Sequence, residues 1–417
     1  MDKIIIRGGK KLTGTVRMSG SKNAALPILI ASLLTDDECI IDNVPALADI
    51  DTTIRFLTYI GKKIVMRGST VTVRSHGRLK PTAPYDLVRK MRASTLVMGP
   101  LLGRLGRVSV SLPGGCAIGA RPIDIHLESF VKMGAEITLT CGYVKTIAPC
   151  LSGAHIHFRY PSVGATENVL LAAVLAKGTT IIENAAREPE IVDLADVLNK
   201  MGASVTGAGS KKITVRGVKK LQGFRHSVIP DRIETATYVI AAAATRGDVT
   251  VTHTNPRHVA AVLSHLKRAG AGVQCTNDTI RVVWKKPLKP VTVTTAVFPG
   301  FPTDVQAQWM TLMSLVHGKS SIRETVFENR FLHVAELQRL GANIHIKGNT
   351  VQVTGVKNIS GAPVMASDLR AGAALVIAGL IAEGRTEVLR VYHLDRGYEH
   401  LEKKLRTLGA DIRRVAQ

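Results

Sequence analysis

"KMGASVT", residues 200–206, decides the architecture, because the same seven-residue pattern returns along the whole chain. Its counterparts are "YIGKKIV" (59–65), "KMGAEIT" (132–138), "RAGAGVQ" (268–274), "RLGANIH" (339–345) and "TLGADIR" (407–413). The glycines fall at Gly61, Gly134, Gly202, Gly270, Gly341 and Gly409, and the spacings of 73, 68, 68, 71 and 68 divide the 417 residues into six nearly equal repeats. Ahead of each glycine the apolar residues keep helical spacing. The glycine suits a helix C-cap, and the alternating residues after it suit a strand. A second, apolar helix recurs in the same register, beginning near Lys22, Arg92, Ala165, Ile233, Asp304 and Leu369. Several copies run through a glycine into a β-branched strand, as in "ENVLLAAVLAKGTTIIEN" (167–184). Each repeat therefore holds one helix apolar enough to be buried and one amphipathic helix that covers a surface. The expectation is an α/β chain of two domains with three repeats each, the change falling within "FRHSVIPDR" (224–232).

Composition narrows the function classes. An apolar fraction of 45% with 21% charged residues is that of a globular protein. The first residues, "MDKIIIRGGKKLTG", lack the unbroken apolar core of an export signal, and the longest apolar runs are too short to span a bilayer. Five widely spaced cysteines, Cys39, Cys116, Cys141, Cys150 and Cys275, form no CxxC and no His/Cys cluster. They suggest neither a disulfide framework nor a zinc site, and a reducing cytoplasm is expected. The formal charge of +23 invites a polyanion, yet the basic residues are scattered and aromatics are only 4%. That favours a site for an anionic small molecule over nucleic acid.

The starts of the apolar helices carry the chemistry. Lys22, Asn23, Arg92, Glu167, Arg232, Asp304, Asp368 and Arg370 all fall in or beside a first turn. Free backbone N–H groups there suit phosphate or carboxylate, and a cation there is unfavourable for the helix until an anion arrives. Some of these acids are ordinary caps on this reading: Thr303 to Gln306 and Asp231 to Glu234 both have capping-box spacing. Taken together, the six positions favour a shared cleft. A second signal is "LPGGCAIGAR" (112–121), which sets Cys116 among small residues near Arg121, where a thiol is free to move and feels a positive field. The loop is no P-loop, since Ala-Arg stands where Lys-Ser/Thr is needed, and no strand–GxGxxG–helix unit occurs.

Long motifs then match a family. "SGSKNAALPILIASLL" (19–34), "MRAST" (91–95), "LPGGCAIGARPIDIHL" (112–127), "SVGATEN" (162–168), "IPDRIET" (229–235), "FPTDVQAQ" (301–308), "TVFENRF" (325–331), "ASDLRAGAALVIAGLIAEG" (366–384) and "YHLDRGYE" (392–399) resemble the enolpyruvyl transferases that act on UDP-N-acetylglucosamine. The resemblance implies two inside-out α/β barrel (prism) domains, with buried helices and outer sheets. It assigns residues 1–21 plus 230–417 to one domain and 22–229 to the other. It also implies transfer of an enolpyruvyl group from phosphoenolpyruvate to the sugar 3′-hydroxyl, by addition then elimination, with no cofactor and no metal. No nucleic-acid partner and no membrane insertion are expected.

Residue by residue, the resemblance makes Asp304 the base, assigns Cys116 as proton donor and bearer of a covalent phosphoenolpyruvate adduct, and gives Asp368 proton transfer or an arginine to hold. Lys22, Arg121 and Arg396 are assigned to the phosphate, Asn23 to phosphoenolpyruvate, and Arg330 and Arg370 to its carboxylate; guanidinium forks suit both anions. The nucleotide sugar falls to Arg92, Arg121, Pro122, Ile123, Asp124, Ile125, Ser162, Val163, Asp304 and Val326. Tyr160 stands where some relatives have lysine, with Arg159 as a candidate substitute. An epoxide phosphonate such as fosfomycin is expected to alkylate Cys116. Two other readings are a transferase acting on shikimate 3-phosphate, which the cysteine loop disfavours, and an RNA 3′-phosphate cyclase, for which His393 or His400 is a weak nucleophile candidate.

Overall fold

The structure, a computed structural model, describes residues 2–88, 92–111 and 123–416. The chain folds into two compact units. One comprises the N-terminal stretch to Ser19 and the chain from Pro230 onward; the other runs from Gly20 to Ile229. Each has its own apolar core.

Six four-stranded sheets form among the described residues, three per unit, on one plan: an edge strand parallel to its neighbour, then two antiparallel strands. In the 20–229 unit, His155–His157 lies parallel to Thr179–Glu183, followed by Lys212–Arg216 and Ser204–Thr206. Pairs such as Ile156 with Ile182 and Ile182 with Ile213 put apolar side chains on the buried face. The alternate residues face outward, the period of a half-buried strand.

The apolar helices are α1 (Lys22–Ala31), α2 (Met98–Leu105), α3 (Val163–Ala173), α4 (Arg232–Ala244), α5 (Gln306–Met313) and α6 (Leu369–Ile381). Within the unit from Pro230 onward, α5 packs on both α4 and α6; in the other, α2 packs along α3. Nearly every residue of α3, α5 and α6 is buried, so these helices lie inside rather than on the surface. The amphipathic helices end at the six repeat glycines, all of which have φ between 91° and 123°. That region is open to Gly and strained for side chains, which explains the recurring residue.

Two strands close their sheets from a distance. Asp2–Arg7 sits between Arg385–Leu389 and Asp411–Ala416, so the N-terminus completes the last repeat. Phe224–Ser227 pairs in parallel with Cys39–Asp42 and completes the first sheet of the other unit. The chain passes between units twice: Ser19 O accepts from Asp231 N (2.9 Å), and Ile229 O accepts from Ser21 N (2.7 Å).

Candidate active site

Helix entry separates caps from site residues. Ser21, Ser162, Asp231 and Asp368 accept hydrogen bonds from the first-turn N–H groups of α1, α3, α4 and α6. Asp368 therefore takes Arg370 N (2.8 Å) and Ala371 N (3.0 Å), a capping duty. Asp231 caps α4, but the reciprocal half of its box is missing: Glu234 Oε2 accepts from Ser19 N and its Oε1 from Lys404 Nζ. The capping box expected from Thr303 to Gln306 does not form. α5 is entered through a 3-10 turn, Thr303–Val305, without a side-chain cap, because the Thr303 hydroxyl is engaged elsewhere.

That leaves Asp304 with its carboxylate turned to two guanidinium groups. Arg330 Nη2 donates to Oδ1 at 2.6 Å and Arg370 Nη2 to Oδ2 at 3.3 Å. Burial alone pushes the Asp304 carboxyl up, but the fields of Arg330 and Arg370, the Arg330 hydrogen bond and the field of Arg232 outweigh it and hold the group far below the usual carboxylate range. Burial opposes the Arg370 charge, while Tyr398, Asp304 and Asp231 more than restore it. Both arginines are buried, and Arg370 Nη1 has no hydrogen-bond partner among the described residues. A buried, unsatisfied guanidinium N–H beside a second guanidinium is a receptor for an anion.

A further layer lies beyond the residues expected from the sequence. Arg330 Nη1 donates to Thr303 Oγ1 (2.8 Å), and that hydroxyl donates to Glu324 Oε2 (2.8 Å). Glu324 Oε1 accepts from Thr295 Oγ1 (2.7 Å) and from the backbone N–H of Val326 (2.8 Å), which fixes the turn carrying Val326. The sequence holds a faint signal for Glu324. After the equivalent strand four other repeats have Asn43, Asn184, His253 or Arg390, all at positive φ, and Glu324 breaks that series.

Arg232 lies over the Phe298 ring at 5.7 Å, and Arg396 ends the 3-10 turn Val391–Arg396. His393 is half-buried and His400 exposed, and among the described residues no side-chain hydrogen bond orients either ring as a nucleophile.

In the other unit Lys22 is buried and pairs with Asp49 at 3.1 Å. Asp49 thus offsets the charge of this first-turn cation. Asn23 follows it, half-buried. Arg92 opens the 3-10 turn Arg92–Val97 that leads into α2. Ile123 is the N-cap residue of the helix Asp124–Lys132, and Ile123 and Ile125 pack against the core. Asp124 is ion-paired with Arg159, which also reaches Glu128 at 3.1 Å. The guanidinium suggested as a replacement beside Tyr160 is therefore already engaged. Ser162 and Val163 form the entry to α3. Burial, then Glu190 and Glu188, push the Glu167 carboxyl well up.

Asn168, fully buried in α3, joins these segments. Its Nδ2 reaches Thr95 O and His126 Nδ1 (both 3.0 Å), and its Oδ1 accepts from Gly99 N (2.7 Å). It thereby fixes the segments carrying Arg92, Asp124 with Ile125, and Ser162 with Val163. Cys116, Arg121 and Pro122 lie outside the described residues. No group of three metal-ligating side chains and no helix long and apolar enough to cross a membrane occurs among the described residues.

Comparison with known proteins identifies the family. The family model for EPSP synthase (3-phosphoshikimate 1-carboxyvinyltransferase) matches residues 6–405. The chain is 65% identical to a UDP-N-acetylglucosamine 1-carboxyvinyltransferase of Endomicrobium trichonymphae, over 99% of both chains. It is 58% identical to one of Desulfosudis oleivorans, over the full length of both. Among solved structures it resembles the enolpyruvyl transferase NikO from Streptomyces tendae, with TM-score 0.89 and 28% identity over 100% and 99% of the two chains. An EPSP synthase from Acinetobacter baumannii, at TM-score 0.75 and 19% identity over the whole of both chains, shares the fold. The chain belongs to the UDP-N-acetylglucosamine 1-carboxyvinyltransferase family of enolpyruvyl transferases.

Proposed function

We propose that this transferase moves the enolpyruvyl group of phosphoenolpyruvate to the 3′-hydroxyl of UDP-N-acetylglucosamine and releases phosphate, the first committed step of peptidoglycan synthesis. The observation that carries the reading is Asp304 held between Arg330 and Arg370, one guanidinium N–H of which is unsatisfied. The sugar oxygen bonds to C2 of phosphoenolpyruvate as its proton leaves to a base and C3 takes a proton from an acid. The resulting tetrahedral ketal then loses phosphate and a C3 proton, which restores the vinyl group.

Asp304 is the base, and its environment makes the step conditional. With both guanidinium groups on it, the carboxylate is stabilised and weakly basic. A substrate carboxylate arriving at Arg330 and Arg370 competes for those N–H groups and returns basicity to Asp304 next to its hydroxyl. Cys116 supplies the C3 proton. Lys22, Arg121 and Arg396 hold the phosphate, with Asn23 beside them. Arg92, Arg121 to Ile125, Ser162, Val163 and Val326 receive the nucleotide sugar. Asp368 orders the start of α6, and with it Arg370.

The finer architecture belongs to the same reading: residues 1–21 with 230–417, and 22–229, as two inside-out α/β barrels. Buried helices and sheets with one outward polar face support it. A cytoplasmic location is supported by the unpaired thiols of Cys39, Cys141, Cys150 and Cys275.

Phosphate release is the test, with UDP-N-acetylglucosamine and shikimate 3-phosphate as parallel acceptors. Release with the sugar nucleotide alone is expected; release with shikimate 3-phosphate alone overturns the substrate. Fosfomycin is expected to add to the Cys116 peptide in a mass spectrum. Cys116→Asp is expected to turn over without forming that adduct, and an adduct on the variant would place the reactive group elsewhere.

A further inference from the structure

We infer that Tyr398 is a positioning residue that sets Arg370 against Asp304, and so governs recognition of the substrate carboxylate. The inference rests on the function proposed above. Tyr398 is 2% exposed, and its ring faces the Arg370 guanidinium with 5.3 Å between ring centroid and Cζ. Its hydroxyl lies 2.9 Å from Thr237 Oγ1. The direction of that bond follows from proton counting: Thr237 Oγ1 donates its single proton to Ile233 O at 2.8 Å, so Tyr398 is the donor. With its proton committed to Thr237, the phenol turns lone pairs rather than hydrogen toward its other neighbours.

One of those neighbours is Gln308. Its Nε2 lies 3.2 Å from Tyr398 Oη, 3.2 Å from Thr237 Oγ1 and 3.1 Å from the backbone oxygen of Asp304. Two amide hydrogens serve three acceptors, which ties α4, the turn before α5 and the Tyr398 segment into one junction. The other neighbour is Arg370, whose guanidinium is seated on the phenol ring. Tyr398 thus reaches both partners of the anion receptor, Arg370 through its ring, which the hydroxyl anchors to Thr237, and Asp304 through Gln308. It touches no reacting atom on this account. Thr237, Gln308, Arg370 and Tyr398 are all buried, so water does not stand in readily for a lost group.

The experiment uses the full chain and steady-state kinetics, each substrate varied with the other saturating. Tyr398→Phe keeps the ring and removes the oxygen. KM for phosphoenolpyruvate is expected to rise about threefold to tenfold, the range for loss of one neutral hydrogen bond, here the one that anchors the ring under Arg370. KM for UDP-N-acetylglucosamine is expected to stay within about twofold, since that contact is not carried by Arg370. Thr237→Val reads the same junction with Tyr398 in place and is expected to raise the same KM, while Thr237→Ser, which retains the acceptor, restores it. A purely structural role moves both KM values together, or neither, and does not distinguish Val from Ser. Wild-type kinetics for Tyr398→Phe, or equal values for Thr237→Val and Thr237→Ser, overturn the inference. Absence of turnover by the wild-type chain with this substrate pair overturns instead the proposed function on which it stands.

Discussion

Replacing Asp304 by Asn tests whether the carboxylate is needed by its own arginines as well as by catalysis. Arg330 and Arg370 have side chains only 7% and 4% exposed, and Asp304 accepts from both, at 2.6 Å and 3.3 Å. The substitution leaves two buried guanidinium groups facing a neutral amide, with Asp231 the remaining negative charge near Arg370. Removing one partner of a buried ion pair costs about 3–5 kcal/mol. The Asn oxygen still accepts one bond and recovers about 1 kcal/mol. A net loss of about 2–4 kcal/mol is expected, together with a fall in kcat of at least about a hundredfold for loss of a general base. Urea unfolding of both proteins, with and without phosphoenolpyruvate, reads the first quantity. The ligand should raise the midpoint of Asp304→Asn more than that of the wild type, because its carboxylate supplies the missing charge. A variant as stable as the wild type, or one that gains no more from the ligand, refutes the claim that the arginines depend on Asp304.

Acid should weaken the 20–229 unit through His126, whose pKa burial pushes down to about 4 from 6.5. The unfolded chain binds this proton first, so stability falls as pH drops from about 6.5 toward 4, by up to about 3 kcal/mol. Unfolding midpoints across that range should fall more steeply for the wild type than for His126→Gln, and equal slopes would count against the assignment. Gly99→Ala should destabilise by about 1–3 kcal/mol, because the added Cβ meets Asn168 O at 2.4 Å and its Oδ1 at 2.7 Å. A thermal melt unchanged by that substitution would show that α2 and α3 separate at little cost.

The repeat is legible because a glycine at positive φ leaves a residue-type signature, and because a wholly buried helix must be apolar all round. The distant strand closures are not legible. Nothing in "DKIIIR" (2–7) distinguishes a strand paired with its sequence neighbour from one paired with residues 385–389 and 411–416. At the site, residue types identify Asp304, Arg330 and Arg370 as charges in plausible places, but not which acid caps and which faces an arginine. Asp368 and Asp304 hold similar sequence positions, and only the 3-10 entry to α5 frees the latter. Gln308 and Tyr398 leave no trace in the sequence pattern, because their roles reside in bond direction and in contacts between elements, and Glu324 leaves only its break in the series of residues after the equivalent strand. Lys22 reads as a first-turn cation, and no spacing in the sequence announces that the fold also brings Asp49 within its reach.

The placement of Asp2–Arg7 bears on how the protein is made. This strand is synthesised ahead of the other strands described, yet its partners, Arg385–Leu389 and Asp411–Ala416, follow it by nearly four hundred residues. At about 5–20 residues per second it waits roughly 20–75 s for the first of them. During that interval the 20–229 unit acquires every strand it uses and can fold while still tethered to the ribosome. The other unit carries an unpaired, aggregation-prone edge until residues 411–416 have been made. Loss of Asp411–Ala416 would make the nascent-chain hazard permanent, so this strand is the segment whose removal should shift the protein toward insoluble material even though it lies far in sequence from Asp304.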